Sequence, residues 1–306
     1  MLYNKVNIRK NYIINIHKMY LIAESGSTKC DWLLVDQSGN YMDLYKTMGY
    51  NPFFHSTDFI YENITSHKDL GHIAVKVERV YFYGAGCENK DLNNIVKKAL
   101  EKAFINANVF VDHDLKAAAY STFNGETNIT CIIGTGSNSC MFDGTTITEE
   151  VPALAYILGD EASGSYLGKK LIAAYLYKKL PKDIAFDFDK EFGLTKEMIF
   201  DRVYNKPNAN VYLASFTRFV GRHKADPFIN NFIMQGMREF FEYHVCCFSN
   251  YQEITVNFIG SVAFHFQDEL MIVAKENNVK IGKVIKEPIM NLLEYHIKYQ
   301  FQQEIA

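Results

Sequence analysis

The amino-acid sequence predicts an α/β protein of two domains with a cleft between them. Apolar runs with the length of β-strands alternate with segments that have helical spacing. The order strand, polar loop, strand and turn occurs near the N-terminus and again from residue 130 onwards. The 306 residues are enough for two domains of about 100 to 150 residues each. Strands and helices that alternate in this way form layered α/β domains.

The first part of the chain carries predicted strands that alternate with helices. The strands lie at 20–23, 31–36, 41–47, 79–84 and 108–111, and the helices lie at 56–70, 91–104 and 115–123. Residues 37–40 (Gln-Ser-Gly-Asn) have the composition of a hairpin turn between two strands. In the second helix, lysines separate Ile95, Leu100 and Phe104, which indicates one apolar face toward a core.

The rest of the chain repeats this strand order before a long helical region. Strands are predicted at 130–133, 139–142 and 255–259, and helices at 163–180, across most of 191–252 and at 287–299. Pro288 suits the first turn of that last helix. The boundary falls near residue 115, so we expect domains at 19–115 and 116–306. Whether the last helix packs back on the first domain stays open at this stage.

Composition limits the classes of function. The net charge of −3 argues against a broad basic surface, so we expect no nucleic-acid partner. The six cysteines include no C-x-x-C pair and no zinc-like spacing, and no apolar run has the length of a membrane span. These features predict a reduced, cytoplasmic protein. Residues 1–18 are basic and interrupted by Asn, so we expect a disordered leader or a mis-assigned start, with Met19 as the functional start.

Two short loops rich in glycine and hydroxyl groups each follow a predicted strand. Residues 23–29 are Ala-Glu-Ser-Gly-Ser-Thr-Lys, and residues 133–139 are Ile-Gly-Thr-Gly-Ser-Asn-Ser. Glycine lets the backbone approach an anion, successive N–H groups form an anion-binding concavity, and hydroxyls add donors. Either loop alone is explained as well by a hairpin turn. The pair, with an acid before the second loop and Gly-Asp-Glu after it, predicts a nucleotide triphosphate site and phosphoryl transfer.

These motifs resemble those of the actin/hexokinase/Hsp70-type ATPase superfamily, in particular the BadF/BadG/BcrA/BcrD-type ATPases and the N-acetylglucosamine kinases. The matching segments are residues 24–29, Asp114 with Ala117 and Ala118, 134–138, 159–164 and 260–263, which together span most of the chain. The resemblance implies two ribonuclease-H-like (actin-like ATPase) domains with a nucleotide cleft between them. It also implies ATP and Mg²⁺ as cofactors.

The resemblance implies how the nucleotide is bound. Ser27, Thr28 and Lys29 would face the β- and γ-phosphates, Gly134, Thr135 and Gly136 would form the second phosphate loop, and Gly260 and Ser261 would contact adenosine. Glu24 departs from the family, which usually has an aspartate there that positions magnesium through water. The longer carboxylate of Glu24 could still do so with a changed metal geometry, and an exposed acid at a strand end is the alternative explanation.

Asp114 is the predicted catalytic base. It lies just after the strand 108–111 and before an Ala-rich helix, where its carboxylate could accept the proton of a sugar hydroxyl. Asp112 is the nearby alternative, and a helix cap is the purely structural one. The resemblance implies that Asn51 and Asp160 bind the hydroxyl groups of the acceptor, and an acid at 160 would also suit the start of the next helix.

The leading hypothesis is an ATP-dependent sugar kinase, with N-acetylglucosamine or glucosamine as the expected acceptor. An activator ATPase of acyl-CoA dehydratases or reductases is the second hypothesis, and it needs exposed cysteines for an iron–sulfur cluster between two subunits. A non-catalytic nucleotide or sugar sensor is the third, and the glutamate at position 24 favours it. The sequence does not identify the sugar or the hydroxyl that is phosphorylated. It also leaves the oligomeric state open, and a homodimer is one of the states that it allows.

Overall fold

The structure is a computed structural model that describes residues 18–301. Apart from Lys18, the predicted leader 1–18 lies outside the described residues. Within them, the chain forms two five-stranded sheets that alternate with helices along the sequence. The predicted α/β fold class is confirmed.

The first sheet consists of β1 (Met19–Ser25), β2 (Lys29–Asp36), β3 (Tyr41–Met48), β4 (Val77–Gly84) and β5 (Asn108–His113), in the spatial order β3-β2-β1-β4-β5. β1 pairs antiparallel with β2 and parallel with β4. Successive residues of β1 face two different apolar clusters, since Leu21 and Ala23 belong to one and Tyr20 and Ile22 to the other. A strand that is apolar on both faces takes the centre of the sheet.

The second sheet consists of β6 (Asn128–Ile133), β7 (Ser137–Phe142), β8 (Ile147–Thr148), β9 (Thr255–Ile259) and β10 (Ile281–Ile285), in the spatial order β10-β9-β6-β7-β8. β6 pairs antiparallel with β7 and parallel with β9. This repeats the arrangement around β1, where a central strand is followed by a short loop and an antiparallel partner. The two glycine-rich loops therefore occupy equivalent positions in the two sheets.

Helices connect and cover the strands. The first part of the chain has α1 (Thr57–Ser66), α2 (Lys68–Ile73), a 3₁₀ turn (Ala74–Lys76), α3 (Lys90–Ala103) and α4 (Asp114–Thr122). The rest has α5 (Ala155–Leu158), α6 (Gly164–Leu176), α7 (Lys182–Phe192), α8 (Lys196–Phe200), α9 (Ala209–Ala214), α10 (Thr217–Arg222), α11 (Pro227–Phe240), α12 (Ser261–His265), α13 (Gln267–Glu276) and α14 (Ile289–Tyr295). Short π-helical turns follow α8, α11 and α14. No helix within residues 18–301 is long and apolar enough to cross a membrane.

Two parts of the second half differ from the sequence-based prediction. The stretch 191–252 is broken into several helices, because Asn208 adopts a left-handed conformation before α9 and Asp226 caps a new helix at α11. The predicted helix 163–180 ends at Leu176. The sequence does not predict β10, since Gly282 and Lys283 interrupt its apolar pattern and its strand character depends on pairing with β9.

The last helix packs against the first sheet. Ile289 of α14 shares a buried cluster with Ile22 of β1 and Ala117 of α4. The ring of Tyr295 stacks on that of Tyr120 in α4, with centroids 3.9 Å apart. α4 itself contacts strands of both sheets. The division into 19–115 and 116–306 stays a prediction, because the helix at that boundary is shared by the two sheets.

Candidate active site

A cleft of about 1420 Å³ receives residues from both sheets. Its lining includes every residue that the sequence predicts for the site, namely Glu24, Ser27, Thr28, Lys29, Asn51, Asp114, Gly134, Thr135, Gly136, Asp160, Gly260 and Ser261. Ordinary ligand sites measure about 300–1,000 Å³. This cleft is therefore large enough for a nucleotide together with a small second ligand.

The two glycine-rich loops meet across the cleft. The hydroxyl oxygen of Thr28 lies 2.9 Å from that of Thr135. The first loop is anchored at its base, where the backbone N–H of Tyr50 donates to the hydroxyl oxygen of Ser25 at 2.8 Å. Gly49 passes so close that a Cβ there would lie 1.9 Å from the Gly26 carbonyl oxygen. The hydroxyl groups of the two loops thus face one space from opposite sides.

The second loop is held by the turn before α6. The carboxylate of Asp160 accepts the backbone N–H of Ser137 at 3.2 Å and the hydroxyl of Ser165 at 3.3 Å. A Cβ on Gly136 would lie 2.9 Å from the same carboxylate, so this close approach requires glycine. Burial raises the pKa of Asp160, and its hydrogen bonds with Ser137 and Ser165 oppose that rise. Asp160, which the resemblance assigns to the acceptor, lines the cleft and also supports the second glycine-rich loop.

Asp114 is the first residue of α4 and opens on the cleft. Its side chain is 21% exposed, and its carboxylate lies 3.4 Å from Nε2 of His113. The residue at the N-cap is His113, which makes no side-chain capping bond, so Asp114 does not act as the helix cap. Asp112 forms an ion pair with Lys116 and lines a separate cavity of about 310 Å³. The structure therefore separates the two candidate bases and leaves Asp114 in the cleft.

Glu24, at the end of β1, carries the most perturbed carboxyl of the cleft. Burial, followed by the negative charges of Asp114 and Asp31, raises the pKa of Glu24 to about 8. The positive charge of Lys29 opposes this rise. Glu24 and Asp31 are direct neighbours on the paired strands β1 and β2. A partly buried acid among other acids is a place where a cation is favourable.

Lys29 connects the first loop to the segment before α14. Its Nζ donates at 2.8 Å to Asp31 and at 2.8 Å to Glu287. The carboxylates of both partners raise the pKa of Lys29 against the effect of burial. Asp31 is fully buried, whereas Glu287 is 45% exposed at the cleft. The ammonium group that the resemblance assigns to the phosphates is thus already paired with two carboxylates.

Asn51 and Gly260 both line the cleft. The Asn51 side-chain oxygen accepts the backbone N–H of Phe53 at 2.9 Å, which leaves its amide nitrogen as a donor. Gly260 follows β9 with a φ of 117°, and a Cβ there would lie 2.4 Å from the Ile133 carbonyl oxygen. Both the conformation and the close approach therefore require glycine at this turn.

Several lining residues escape prediction from the sequence. Ser137 lines the cleft, is buried, and its hydroxyl has no hydrogen-bond partner among the described residues. Its place directly after Gly136 is a signal that could have identified it. Arg218 of α10 and His265 of α12 also line the cleft, and the helical pattern around them contains no motif that indicates a site.

Comparison with known proteins identifies the family. A solved structure from Porphyromonas gingivalis, described as a "putative N-acetylglucosamine kinase", is 35% identical to this chain and has a TM-score of 0.85. The similarity covers 92% of this chain and 99% of the other. The chain belongs to this N-acetylglucosamine kinase family. The predicted superfamily, that of actin, hexokinase and Hsp70, is confirmed, and the family is one of carbohydrate kinases.

More distant structures share the fold alone. A "putative N-acetylglucosamine kinase" from Chromobacterium violaceum is 14% identical with a TM-score of 0.69, over 92% of this chain and 99% of the other. A ROK family glucokinase from Streptomyces griseus, solved with glucose and AMPPNP, is 13% identical with a TM-score of 0.51, over 91% and 97% of the two chains. No protein-family model and no curated protein matches the sequence.

Proposed function

We propose that the protein is an ATP-dependent kinase of an amino sugar, with N-acetylglucosamine or glucosamine as the acceptor. The observation that carries this proposal is the convergence of both loops and Asp114 on one cleft. The hydroxyl groups of Thr28 and Thr135 are 2.9 Å apart there, and Asp114 lines the same space. The description of the family member from Porphyromonas gingivalis supports the choice of sugar.

The reaction requires mainly positioning and charge stabilisation. The two loops would bind the phosphates of ATP with backbone N–H groups and hydroxyls. A hydroxyl oxygen of the sugar attacks the γ-phosphorus, the bond from that phosphorus to the bridging oxygen breaks, and ADP leaves. Asp114 accepts the hydroxyl proton, so the products are a sugar phosphate, ADP and one proton. Asn51 and Asp160 would orient the sugar through its hydroxyl groups.

Mg²⁺ fits the carboxylates at the end of β1. Glu24 lies among the negative charges of Asp114 and Asp31, which Lys29 only partly offsets. Mg²⁺ prefers oxygen ligands and keeps several of its waters, so contact with Glu24 through water suits it. When bound, the ion would neutralise charge on the phosphates. No set of three or more His, Cys, Asp or Glu side chains within residues 18–301 could hold a metal ion by itself, which leaves the phosphates of ATP to supply further ligands.

Buried cysteines speak against the activator ATPase hypothesis. Cys30, Cys87, Cys131 and Cys140 are buried, and burial raises the pKa of each thiol. Cys246 and Cys247 are partly exposed, and they are adjacent in the chain. A cluster shared between subunits needs cysteine thiolates at an exposed surface. Iron analysis of anaerobically purified protein tests this alternative directly. The homodimer and the cytoplasmic location stay predictions.

The decisive assay is ADP release from Mg-ATP with a panel of sugars that includes N-acetylglucosamine and glucosamine. We expect sugar-dependent release that Asp114→Asn lowers by about 10²- to 10⁴-fold in kcat. Asp112→Asn is the matched control, because that carboxylate lies two positions away, pairs with Lys116 and lines the other cavity. Ligand binding without sugar-dependent ADP release would support the sensor hypothesis and contradict the proposal.

A further inference from the structure

The turn that carries Asp160 is strained. Asp160 and Ala162 both have a φ of 60°, a left-handed conformation that residues other than glycine seldom adopt. Such a conformation is energetically unfavourable and persists only where the surroundings enforce it. The carboxylate of Asp160 nevertheless has to be placed accurately, because it accepts the backbone N–H of Ser137 in the second loop.

A buried histidine that does not line the cleft contacts this turn. Nε2 of His244, in the π-helical turn after α11, lies 3.2 Å from the carboxylate of Glu161, which is the residue between the two strained positions. The exposed fractions of the two side chains are only 6% and 13%. Nδ1 of His244 is buried without a hydrogen-bond partner among the described residues. The neutral ring therefore carries its proton on Nε2 and donates it to Glu161.

Packing fixes the histidine and the turn that it contacts. The ring of His244 stacks on Phe240 of α11, with centroids 4.9 Å apart and planes at 25°. One turn earlier, Gly236 approaches the same segment, where an added Cβ would lie 3.1 Å from the Ala162 Cα. Tyr166, which follows the turn, donates to Glu239 at 2.8 Å. The C-terminal half of α11 and the turn after it thus form a continuous support behind residues 160–166.

We propose that His244 is a positioning residue that acts through Glu161 on Asp160 and the second loop. The hydrogen bond between His244 and Glu161 holds the strained turn in the conformation that directs the Asp160 carboxylate at Ser137. Without that bond, the turn relaxes and the loop loses its support. The kinetic part of this inference rests on the proposed kinase activity, whereas its structural part does not.

The test compares two substitutions of the histidine. His244→Phe keeps the stacked ring and removes the donor, whereas His244→Gln keeps a donor of similar reach. Hydrogen exchange of residues 158–166, followed by mass spectrometry, reports on the turn without any need for activity. We expect faster exchange and about ten-fold lower kcat/KM in His244→Phe, because small displacements of positioning groups are costly to catalysis. We expect His244→Gln to keep both the exchange rate of residues 158–166 and kcat/KM close to the wild-type values.

Controls separate positioning from general stability. His223→Phe removes a histidine that pairs with Asp187 outside the cleft lining, and it should change neither readout. Glu161→Leu removes the acceptor of the same hydrogen bond, so it should add no further loss of kcat/KM to His244→Phe. If His244→Phe does not fold, His244→Gln and Glu161→Leu decide. Near-wild-type exchange in His244→Gln with faster exchange in Glu161→Leu supports the proposal, and near-wild-type exchange in Glu161→Leu overturns it.

Two results would overturn the inference. One is unchanged exchange of residues 158–166 in His244→Phe, together with kcat/KM within about two-fold of the wild type. The other is equal damage in His244→Phe and His244→Gln with matching drops in Tm, which indicates a role in packing only. If the wild type shows no sugar-dependent ADP release, the proposed function fails, and the exchange data still decide whether His244 holds the turn.

Discussion

Glu24→Gln is predicted to stabilise the ligand-free protein and to weaken its function. The carboxyl of Glu24 has a pKa raised to about 8 by burial and by the charges of Asp114 and Asp31. Glutamine keeps the shape and removes the charge. It therefore relieves the cost of ionising this group in the ligand-free cleft, and it also removes the charge that we expect a magnesium ion to require.

The size of the effect follows from proton linkage. The unfolded chain ionises Glu24 near its ordinary pKa of 4.5, whereas the folded protein keeps the proton up to about pH 8. As the pH rises through this window, the unfolded state loses the proton first, so the free energy of unfolding of the wild type falls. Glutamine has no such proton. The variant should therefore gain about 3 kcal/mol relative to the wild type between about pH 5.5 and pH 8, at ~1.36 kcal/mol for each pH unit.

The assay is denaturant unfolding of both proteins without ligand at several values of pH across that window. Glu294→Gln, on the exposed side of α14, is the matched control and should show no such trend. In a second measurement, calorimetry in buffers of different ionisation enthalpy should find that binding of Mg-ATP at neutral pH releases about one proton from the wild type and fewer from Glu24→Gln. A stability difference between Glu24→Gln and the wild type that does not vary with pH would refute the reasoning.

The remaining predictions concern packing and the ion pair of the first loop. Gly168→Ala should lower the free energy of unfolding by about 1–3 kcal/mol, because a Cβ there would lie 1.9 Å from the Leu213 carbonyl oxygen. Gly221→Ala is the control, because the nearest atom to an added Cβ there would be 3.8 Å away. This variant should be neutral or stabilising by up to ~1 kcal/mol. Equal losses of Tm in Gly168→Ala and Gly221→Ala would contradict the argument. Glu287→Gln should raise KM for ATP by up to about five-fold with little change in kcat, since it loosens a half-exposed ion pair to the first loop. An unchanged KM in Glu287→Gln, or an equal rise in Glu294→Gln, would contradict that role.

Local sequence patterns located the parts of the site that a short segment forms by itself. A loop between two strands has its shape fixed by its own glycines and hydroxyls, so residues 23–29 and 133–139 are visible in the sequence. Asp114 is visible for a similar reason, because it stands between a strand and an Ala-rich helix. The sequence already favours Asp114 over Asp112, and the structure adds a contact that distinguishes them, because Asp112 pairs with Lys116.

Long-range contacts explain what the sequence could not predict. Strand β10 has a weak apolar pattern and is defined by its pairing with β9. The contact between Lys29 and Glu287 joins residues that are 258 positions apart, and the contact between Glu161 and His244 joins residues 83 positions apart. No periodicity or motif records such distances, because each depends on how separate elements pack.

The sequence by itself determined the fold class, the two glycine-rich loops and the family, since these depend on local spacing and on residues that short segments present together. The tertiary structure alone decided that the loops meet at Thr28 and Thr135, that Glu24 lies among acids, and that a buried histidine supports the strained turn at Asp160. Burial and the distance between charges set the pKa and the position of a side chain. Both quantities exist only once the two sheets have packed around the cleft.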